Sequence, residues 1–292
     1  MRRAIVRAFD LWEGKKMDGG TVAGLVYLVS AKLMQLGLTA VILTVGIFPP
    51  QIGIAGSEDD RNETRRLDPD RPHLPEASTA VGKGHVVSES GYTFAEKGSV
   101  RTQSYPEAVL RVGMFSDWFE LRIGQNFVTQ EQTVGDLYFG AKLALTEQRG
   151  YLPAIAVIPQ MTVADANRAA VDGRVLPGLN VDCGWELLKG RFAIELLIAT
   201  NRVRDDAHGS HLEVATGLTA AVNLRRDLEA FVEWDAFYPV AASGPASGAR
   251  DYAVGGLVYF ITDNLAIDVR AGVGLNRQAN DFLAGTGFSV RY

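Results

Sequence analysis

A period of two residues recurs along the chain after Gly84 and constrains its fold more than any other feature. Apolar residues occupy alternate positions and polar or small residues fill the places between them, as where Leu121 and Ile123 flank Arg122. Such alternation is typical of β-strands, because successive side chains of a strand point to opposite faces. No stretch after Gly84 sustains the 3.6-residue period of an amphipathic helix. The sequence therefore predicts an all-β protein.

The alternation divides this part of the chain into twelve predicted strands. Most are 8–13 residues long, which is the length that a tilted strand needs to cross the core of a bilayer. They cover residues 84–96, 105–114, 118–125, 134–145, 151–161, 178–186, 191–200, 211–223, 228–238, 251–261, 265–275 and 282–292. The fifth strand is the weakest prediction, because Pro153 and Pro159 each remove a backbone donor.

The connections between these strands are sorted by length. Those after even-numbered strands are short: Phe115–Asp117, Thr146–Gly150, Leu187–Gly190, Leu224–Asp227 and Thr262–Asn264. Those after odd-numbered strands are mostly longer, the largest being Thr162–Pro177, Asn201–Ser210 and Pro239–Arg250. Outer-membrane barrels place tight turns at one end and extended loops at the other. A soluble β-sandwich produces the same strand alternation but has no reason to sort its connections.

Charged residues are confined to one face of these strands. The candidates for lining a lumen are Glu107, Arg111, Glu120, Arg122, Asp136, Lys142, Asp182, Glu186, Glu195, Glu213, Glu229, Glu233, Asp235, Asp268 and Arg270. A charge on the lipid face of a barrel would cost roughly 2–4 kcal/mol near the bilayer midplane, which accounts for the nearly uncharged opposite faces. We therefore predict a transmembrane antiparallel β-barrel of about twelve strands, with its apolar faces toward lipid.

Residues 1–56 have the features of a secretory signal peptide. Six basic residues precede or flank an apolar run from Leu36 to Phe48, which is followed by two prolines and small residues. Either Met17 or Met34 could be the true start, and an uncleaved anchor helix over residues 22–48 is the alternative. Removal of this segment takes the net charge from −5 to about −8. An acidic, exported chain with one cysteine fits a bacterial envelope.

Residues 57–83 are rich in charge, proline and small polar residues and show no apolar period. We predict that they form a flexible polar leader outside the main fold, because they contain too little apolar surface to fold alone. A plug inside the lumen is the functional alternative. The barrel itself is predicted to span residues 84–292.

Composition excludes several classes of function. A single cysteine and four histidines argue against disulfide frameworks and Cys-rich metal sites, and the acidic net charge argues against nucleic-acid binding. The stretch from His208 to His211 could supply metal ligands or a Ser/His pair, but it lies in a polar loop with nothing nearby to orient a base. Cys183 falls on an apolar face, where it is expected to be inert. We expect no enzymatic activity, cofactor or metal.

Aromatic residues lie near many predicted strand ends, where they could anchor the barrel at the membrane interface. They are Tyr92, Phe94, Phe115, Trp118, Trp185, Phe192, Trp234, Tyr238, Phe260, Phe282 and Tyr292. The last of these ends the chain on an outward-facing position, and this ending resembles the C-terminal insertion signal of bacterial outer-membrane barrels. The expected partners are therefore outer-membrane lipid, the outer-membrane assembly machinery and a small-molecule solute.

Several short stretches resemble the outer-membrane family named after a phenol meta-pathway degradation protein, whose members are often described as transporters. The stretches are Asp70-Arg71-Pro72, Gly84-His85 with Glu89-Ser90-Gly91-Tyr92, residues 135–142, residues 152–156 and residues 264–268 leading to 287–292. Each is short, and their order along about 220 residues carries the resemblance. The resemblance implies an outer-membrane barrel that takes up small, often apolar compounds, and it brings no catalytic residues.

Together these observations predict a channel for passive uptake of small molecules. A lumen of mixed charge would favour small polar or zwitterionic solutes, whereas the family resemblance implies aromatic or apolar compounds. Apolar compounds would need a lateral opening, for which Pro153 and Pro159 are candidate disrupters. A non-conducting structural or adhesive barrel that binds partners through its long loops is the alternative, and a lipid-modifying enzyme is a third hypothesis.

Overall fold

The computed structural model describes residues 66–128, 133–163, 175–188, 190–204, 209–240, 242 and 247–292. The predicted signal peptide and residues 57–65 of the predicted leader lie outside the described residues. Among the residues described, no helix is long and apolar enough to cross a membrane.

The described chain forms thirteen strands, and all twelve predicted segments correspond to strands. In chain order they are β1 (Val86–Lys97), β2 (Val100–Gly113), β3 (Phe119–Val128), β4 (Thr133–Val134), β5 (Leu137–Thr146), β6 (Ala154–Val163), β7 (Val175–Leu188), β8 (Phe192–Arg204), β9 (Ser210–Arg225), β10 (Leu228–Val240), β11 (Arg250–Thr262), β12 (Leu265–Gly274) and β13 (Phe282–Arg291). The two residues of β4 extend the pairing of β5 with β3 beyond Gly135 and Asp136.

The strands close into a barrel. Each strand of the wall pairs antiparallel with the wall strands before and after it, with β3 pairing to β5 past β4. β1 pairs with β13 from Val87↔Arg291 to Glu96↔Phe282, so the first and last strands form the seam. Twelve strands make up the wall, with β4 as an extension of β5. Closure gives every strand of the wall two partners and leaves no open edge. The predicted twelve-stranded antiparallel barrel is confirmed.

The connections follow the predicted sorting with one difference. Strand β2 begins at Val100 instead of residue 105, so the turn after β1 consists of Gly98 and Ser99 alone. Gly98 has a φ of 57°, and this left-handed conformation, which glycine adopts without a steric penalty, permits so tight a turn. We call the end of the barrel that carries the turns around residues 115, 226 and 263 the short-turn end.

The two faces of the wall differ as the alternation predicts. Outward side chains are apolar and exposed, as at Val232 (65%) and Val269 (51%), whereas the inward Lys142 and Glu120 are fully buried. The exception among the aromatic residues is Phe260, which was predicted at the interface. It is only 6% exposed and packs inside the barrel against Val258. Its position in the alternation of β11 places it on the inner face.

The leader prediction is wrong for residues 66–83, which we call the inner segment. These residues contact inward side chains of strands all around the closed wall, including Glu89 of β1, Asp182 of β7 and Asp268 of β12. A segment that touches opposite sides of a closed barrel must lie in its lumen. The physical reason for the error is that this segment is held by ion pairs and hydrogen bonds, which hydrophobic periodicity does not detect.

The inner segment enters and leaves the lumen at the same end. The Leu67 amide donates to the Asp263 carbonyl at 2.7 Å, and the Lys83 amide donates to Asp117 Oδ1 at 2.9 Å. Both acceptors belong to turns of the short-turn end. Between these points the segment reaches Asp268, the fourth residue of β12. It therefore forms a loop inserted from the short-turn end.

Candidate functional site: the barrel lumen

Three buried cations project from neighbouring strands into one side of the lumen. Arg111 on β2 and Lys142 on β5 have no exposed surface, and Arg122 on β3 is 5% exposed. Glu120 and Glu89 accompany them, each with an oxygen 2.9 Å from an Arg111 nitrogen. We call this side, formed by β2, β3 and β5, the cationic wall.

Asp70 of the inner segment joins all three cations. Its carboxylate oxygens lie 2.7 Å from Lys142 Nζ, 2.8 Å from Arg122 Nη1 and 3.2 Å from Arg111 Nε. Burial alone would raise the pKa of the Asp70 carboxyl, but the three positive charges outweigh it and hold the pKa well below its ordinary value. Asp70 is therefore ionised, and its charge anchors the segment to the cationic wall.

Glu76 makes a second contact with the same wall. Its carboxylate lies 2.7 Å from Arg122 Nη1, and its amide donates to Asp182 Oδ1 of β7 at 2.9 Å. The Lys142 ammonium also donates to the Ala77 carbonyl at 2.8 Å. The segment from Asp70 to Ala77 is thus fixed by both side-chain and backbone groups.

The opposite side of the lumen is acidic. Strands β8, β10 and β12 form this acidic wall, on which the inward carboxylates are Glu195, Glu229, Glu233, Asp235 and Asp268. The inner segment presents His73 here, with Nδ1 3.2 Å from Glu195 Oε2. The imidazole packs edge-on against Phe231, with the two ring centroids 4.3 Å apart. The Leu74 amide donates to the Glu233 carboxylate at 3.2 Å.

The acidic wall makes His73 a strong base. Burial lowers the pKa of the imidazole, but the hydrogen bond to Glu195 and the charges of Glu195, Glu233 and Glu229 outweigh burial and raise the pKa to about 9. His73 is therefore a cation at neutral pH. Its ion pair with Glu195 complements the ion pairs of Asp70 across the lumen.

Arg71 makes a further contact with acidic residues. Its guanidinium lies 3.2 Å from Asp268 and 3.1 Å from Glu107 of β2. Arg270 of β12 donates to the Pro72 carbonyl at 2.7 Å. Adjacent residues of the inner segment thus send charges of opposite sign to different parts of the wall, so the segment fits the lumen in one orientation.

Glycines on the inner face let the segment approach the wall closely. A Cβ at Gly91 would lie 2.2 Å from the Arg71 guanidinium, and one at Gly217 would lie 2.8 Å from Pro75 Cδ. At Gly113 the added atom would overlap the Gly82 carbonyl oxygen. At Gly113 and Gly217 the obstacle is backbone or a proline ring, so a side chain there would displace the segment, and the wall is shaped to accept it.

The fifteen lumen-lining candidates lie in different environments. The buried ones are Arg111, Glu120, Arg122, Lys142, Asp182, Glu213, Glu233, Asp235 and Asp268, and the partly buried ones are Glu107, Asp136, Glu195, Glu229 and Arg270. Most of them contact the inner segment. Asp136 instead pairs with Arg204 at 3.1 Å and Glu213 pairs with Arg250. Glu186 is exposed at the end of β7, where it accepts a hydrogen bond from the Gly190 amide.

The residues that sequence reasoning missed are those that bind the wall residues from within: Asp70, Arg71, His73 and Glu76, together with Glu89 on β1. One signal could have found the first two. Asp70-Arg71-Pro72 was among the stretches that resemble the family, and a family-wide match is unexpected in a leader outside the fold.

Other candidate chemistry lies apart from this cluster. His208 is outside the described residues, and His211 is buried on β9. Cys183 is buried on the outward-pointing side of β7. Within the part of the chain that the structure describes, no group of three or more His, Cys, Asp or Glu residues has the geometry of a metal site.

A closed antiparallel barrel with an exposed apolar exterior and an ionic interior defines an outer-membrane β-barrel protein. Residues 69–292 match the protein family described as "Putative MetA-pathway of phenol degradation", and the chain belongs to that family. The match begins within the inner segment. No curated protein matches the chain.

Solved structures show the same fold at low sequence identity. The NanC porin is 10% identical, with a TM-score of 0.51 over 70% of this chain and 98% of the porin. The KdgM porin is 8% identical, with a TM-score of 0.44 over 70% of this chain and 98% of that one. Only the first similarity is strong enough to support a shared fold.

Proposed function

We propose that this barrel is a channel for the passive uptake of small molecules across the outer membrane. The observation that carries this proposal is the closed wall of twelve strands with ionic side chains on its inner face. Barrels of eight strands fill their interior with side chains, and barrels of 16–18 strands leave an open channel. A wall of intermediate size supports a narrow aqueous path. This function requires no catalytic residue.

The inner segment restricts that path in our proposal. It crosses from the cationic wall to the acidic wall and packs Leu67 against Val258 and Phe260, so a solute must pass beside it or displace it. Most of its contacts are polar. Release of the segment therefore requires the solute or water to take over its ion pairs with the two walls.

The solute class follows from the charges of the walls. Cationic and acidic walls facing each other across a narrow lumen favour small polar or zwitterionic solutes, whose two charges match both walls. Membership of a family described by phenol degradation supports small aromatic compounds as a second class. The porin fold shared with NanC supports transport in either case.

A reversible crosslink tests both the channel and the role of the inner segment. A Cβ placed at Gly184 would lie 3.4 Å from Ser78 Cβ, close to the spacing of a disulfide. We therefore suggest Ser78→Cys with Gly184→Cys in a Cys183→Ser background, reconstituted in planar bilayers. We expect a small conductance when the pair is oxidised and a larger one after reduction, because reduction frees the segment from β7.

The controls separate the two parts of the proposal. The single variant Ser78→Cys should conduct equally with and without reductant. Equal conductance of the oxidised and reduced double variant would show that breaking the crosslink does not move the segment out of the path. If neither form conducts, and liposomes containing the reduced protein do not take up glycine or arabinose, the channel itself is rejected.

The filled lumen also favours a second candidate function. A barrel whose interior is occupied by its own chain could serve as a non-conducting structural or adhesive protein that binds partners through its long loops. The absence of conductance in both redox states would support this candidate. A redox-dependent conductance would contradict it.

A further inference from the structure

The buried Lys142 ammonium depends on the inner segment for its hydrogen bonds. Its Nζ lies 2.7 Å from Asp70 Oδ1 and donates to the Ala77 carbonyl at 2.8 Å. In the part of the chain that the structure describes, no residue of the wall accepts a hydrogen bond from it. An ammonium has three N–H donors, and a buried one without partners is strongly unfavourable. The partners of this cation must therefore come from outside the wall.

Arg122 is a second cation of this kind. The inner segment supplies the two carboxylates closest to its Nη1, Glu76 at 2.7 Å and Asp70 at 2.8 Å. The wall carboxylate of Glu120 lies farther from the same nitrogen, at 3.5 Å. The single carboxylate of Asp70 thus bridges Lys142 and Arg122, with one oxygen on each. Contacts between ionised groups at these distances are the strong polar contacts of proteins.

Arg111 differs from these two cations, because the wall itself neutralises it. Glu89 of β1 and Glu120 of β3 each place an oxygen 2.9 Å from an Arg111 nitrogen. The wall completes this group of ion pairs but leaves Lys142 and Arg122 to a carboxylate from elsewhere. This pair of cations therefore has the arrangement of a carboxylate-binding site.

We propose that Lys142 and Arg122 form the binding site for the carboxylate of the transported solute, and that Asp70 occupies this site as an internal substitute. The solute is a small monocarboxylic acid that carries a second, uncharged acceptor oxygen, as 3-hydroxy and 3-oxo acids do. Its carboxylate replaces that of Asp70, and its second oxygen replaces the Ala77 carbonyl. That the ligand is also the solute rests on the proposed channel, whereas the site itself does not.

The second oxygen follows from the geometry at Lys142. The Asp70 carboxylate and the Ala77 carbonyl accept hydrogen bonds from one ammonium, whose N–H bonds diverge at the tetrahedral angle. Two such acceptors lie close together without being adjacent, which matches a carboxylate and an oxygen on the third carbon of an acid. An acid without this oxygen leaves one donor of the buried ammonium without a partner, so its binding is weaker.

A second negative charge is disfavoured at this site. Glu89, Glu120 and Asp182 already place three wall carboxylates around the cations. Glu76 shows the consequence: burial, together with the charge of Asp70, raises the pKa of its carboxyl above the ordinary value despite the neighbouring cations. A monocarboxylate should therefore bind more tightly than a dicarboxylate of the same length.

Binding to the variant Asp70→Ala tests the proposal, because this variant vacates the site. Folding is checked by heat-modifiable migration in gels, and binding at pH 7 is measured by isothermal titration calorimetry in detergent. The probes are 3-hydroxybutyrate, butyrate and succinate, which have carbon chains of equal length. We expect 3-hydroxybutyrate to bind roughly tenfold more tightly than butyrate, which is the value of one hydrogen bond to a charged donor. Succinate should bind more weakly than 3-hydroxybutyrate.

Matched variants locate the binding. Asp68→Ala is the control in the same segment, since Asp68 is exposed and Asp70 still fills the site. It should bind 3-hydroxybutyrate as the wild type does, at least about tenfold more weakly than Asp70→Ala, because a tethered group competes at an effective concentration in the millimolar range. In the Asp70→Ala background, Lys142→Met should abolish the preference for 3-hydroxybutyrate over butyrate. The same substitution at the exposed Lys97 should preserve this preference.

The outcomes either support or overturn the proposal. Equal affinities of Asp70→Ala for 3-hydroxybutyrate and butyrate would overturn it, and this series of ligands decides even if Lys142→Met does not fold. A preference retained in folded Lys142→Met would overturn it too.

The crosslinked double variant described above tests the channel separately. In that variant 3-hydroxybutyrate should raise the conductance of the reduced form and leave that of the oxidised form unchanged. Binding to Asp70→Ala without any conductance would support the site and reject the channel. Conductance of the reduced form without binding to Asp70→Ala would overturn the site and leave the channel in place.

Discussion

The cationic wall and the acidic wall hold the same inner segment by opposite arrangements of charge. On the cationic wall the barrel supplies Arg111, Arg122 and Lys142, and the segment supplies Asp70. On the acidic wall the barrel supplies Glu195, and the segment supplies His73. The carboxyl of Asp70 stays ionised at any physiological pH, whereas an imidazole loses its charge within an accessible range. The attachment through Asp70 is therefore independent of pH, whereas the attachment through His73 depends on it.

The largest expected effect comes from breaking the attachment of Asp70 to the cationic wall. Asp70→Asn leaves three buried cations without their shared partner, and loss of one member of a buried ion pair typically costs about 3–5 kcal/mol. We expect the inner segment to leave the lumen, which limited proteolysis of the folded barrel would detect as cleavage within residues 66–83. Asp68→Asn is the control, since Asp68 lies in the same segment and is exposed. Wild-type protection of Asp70→Asn would contradict this view of the cationic wall.

The pH-dependent attachment should weaken at alkaline pH. The pKa of His73 is about 9 in the docked segment against about 6.5 when free, so its stabilisation is complete below about pH 6.5 and is lost as the pH rises through 9. The shift corresponds to about 3 kcal/mol. Proteolytic protection of the segment and the melting temperature should both fall between pH 6 and pH 9.5. His73→Gln should remove this dependence, and an unchanged pH profile in that variant would refute the assignment.

A smaller effect is expected from filling the space that Gly217 of β9 leaves for Pro75 of the inner segment. Gly217→Ala places a methyl group 2.8 Å from Pro75 Cδ, and crowding of this kind costs about 1–3 kcal/mol. Thermal unfolding should show the loss. Gly255→Ala is the matched control, because its added methyl group would lie 3.3 Å from the Phe231 carbonyl oxygen and would not meet the inner segment. Equal melting temperatures of the two variants would mean that the segment does not pack against Gly217.

The smallest effect belongs to an ion pair outside both walls. Arg101 lies 2.8 Å from Glu96 at the β1–β2 turn, with its side chain 71% exposed. Exposed pairs contribute about 0–1 kcal/mol, so Arg101→Ala should change neither the melting temperature nor the proteolysis pattern appreciably. A large loss in this variant would show that stability is not concentrated at the two walls.

The strands could be predicted from the sequence because alternation is a local signal. Each apolar face is decided by residues two apart, and the segments that became β8 and β12 were recognisable without knowing their neighbours. The inner segment could not be predicted in this way. Its contacts join Arg71 to Asp268 and His73 to Glu195, which are distant in the chain, and a charge pattern does not reveal which distant charge it meets.

The lumen was predicted in part for the same reason. Alternation placed the charged candidates on one face of the strands, but it could not show that Asp136 and Glu186 lie away from the cluster around Asp70. Local sequence was also misleading at Phe260, whose place near a strand end suggested an interface anchor. In the structure Arg66 stacks over its ring at 3.7 Å, a contact that exists only because the inner segment has entered the barrel.

The close fit of Arg71 against Gly91 has a consequence for the emptied barrel. Where the guanidinium now sits, the wall bears no side chain, so its withdrawal would leave a notch between the carboxylates of Glu107 and Asp268. Without Arg71, the carboxylates of Glu107 and Asp268 beside this empty recess would attract a cation of similar shape. At this recess a conducting form of the protein should therefore bind guanidinium and other organic cations in preference to anions of the same size.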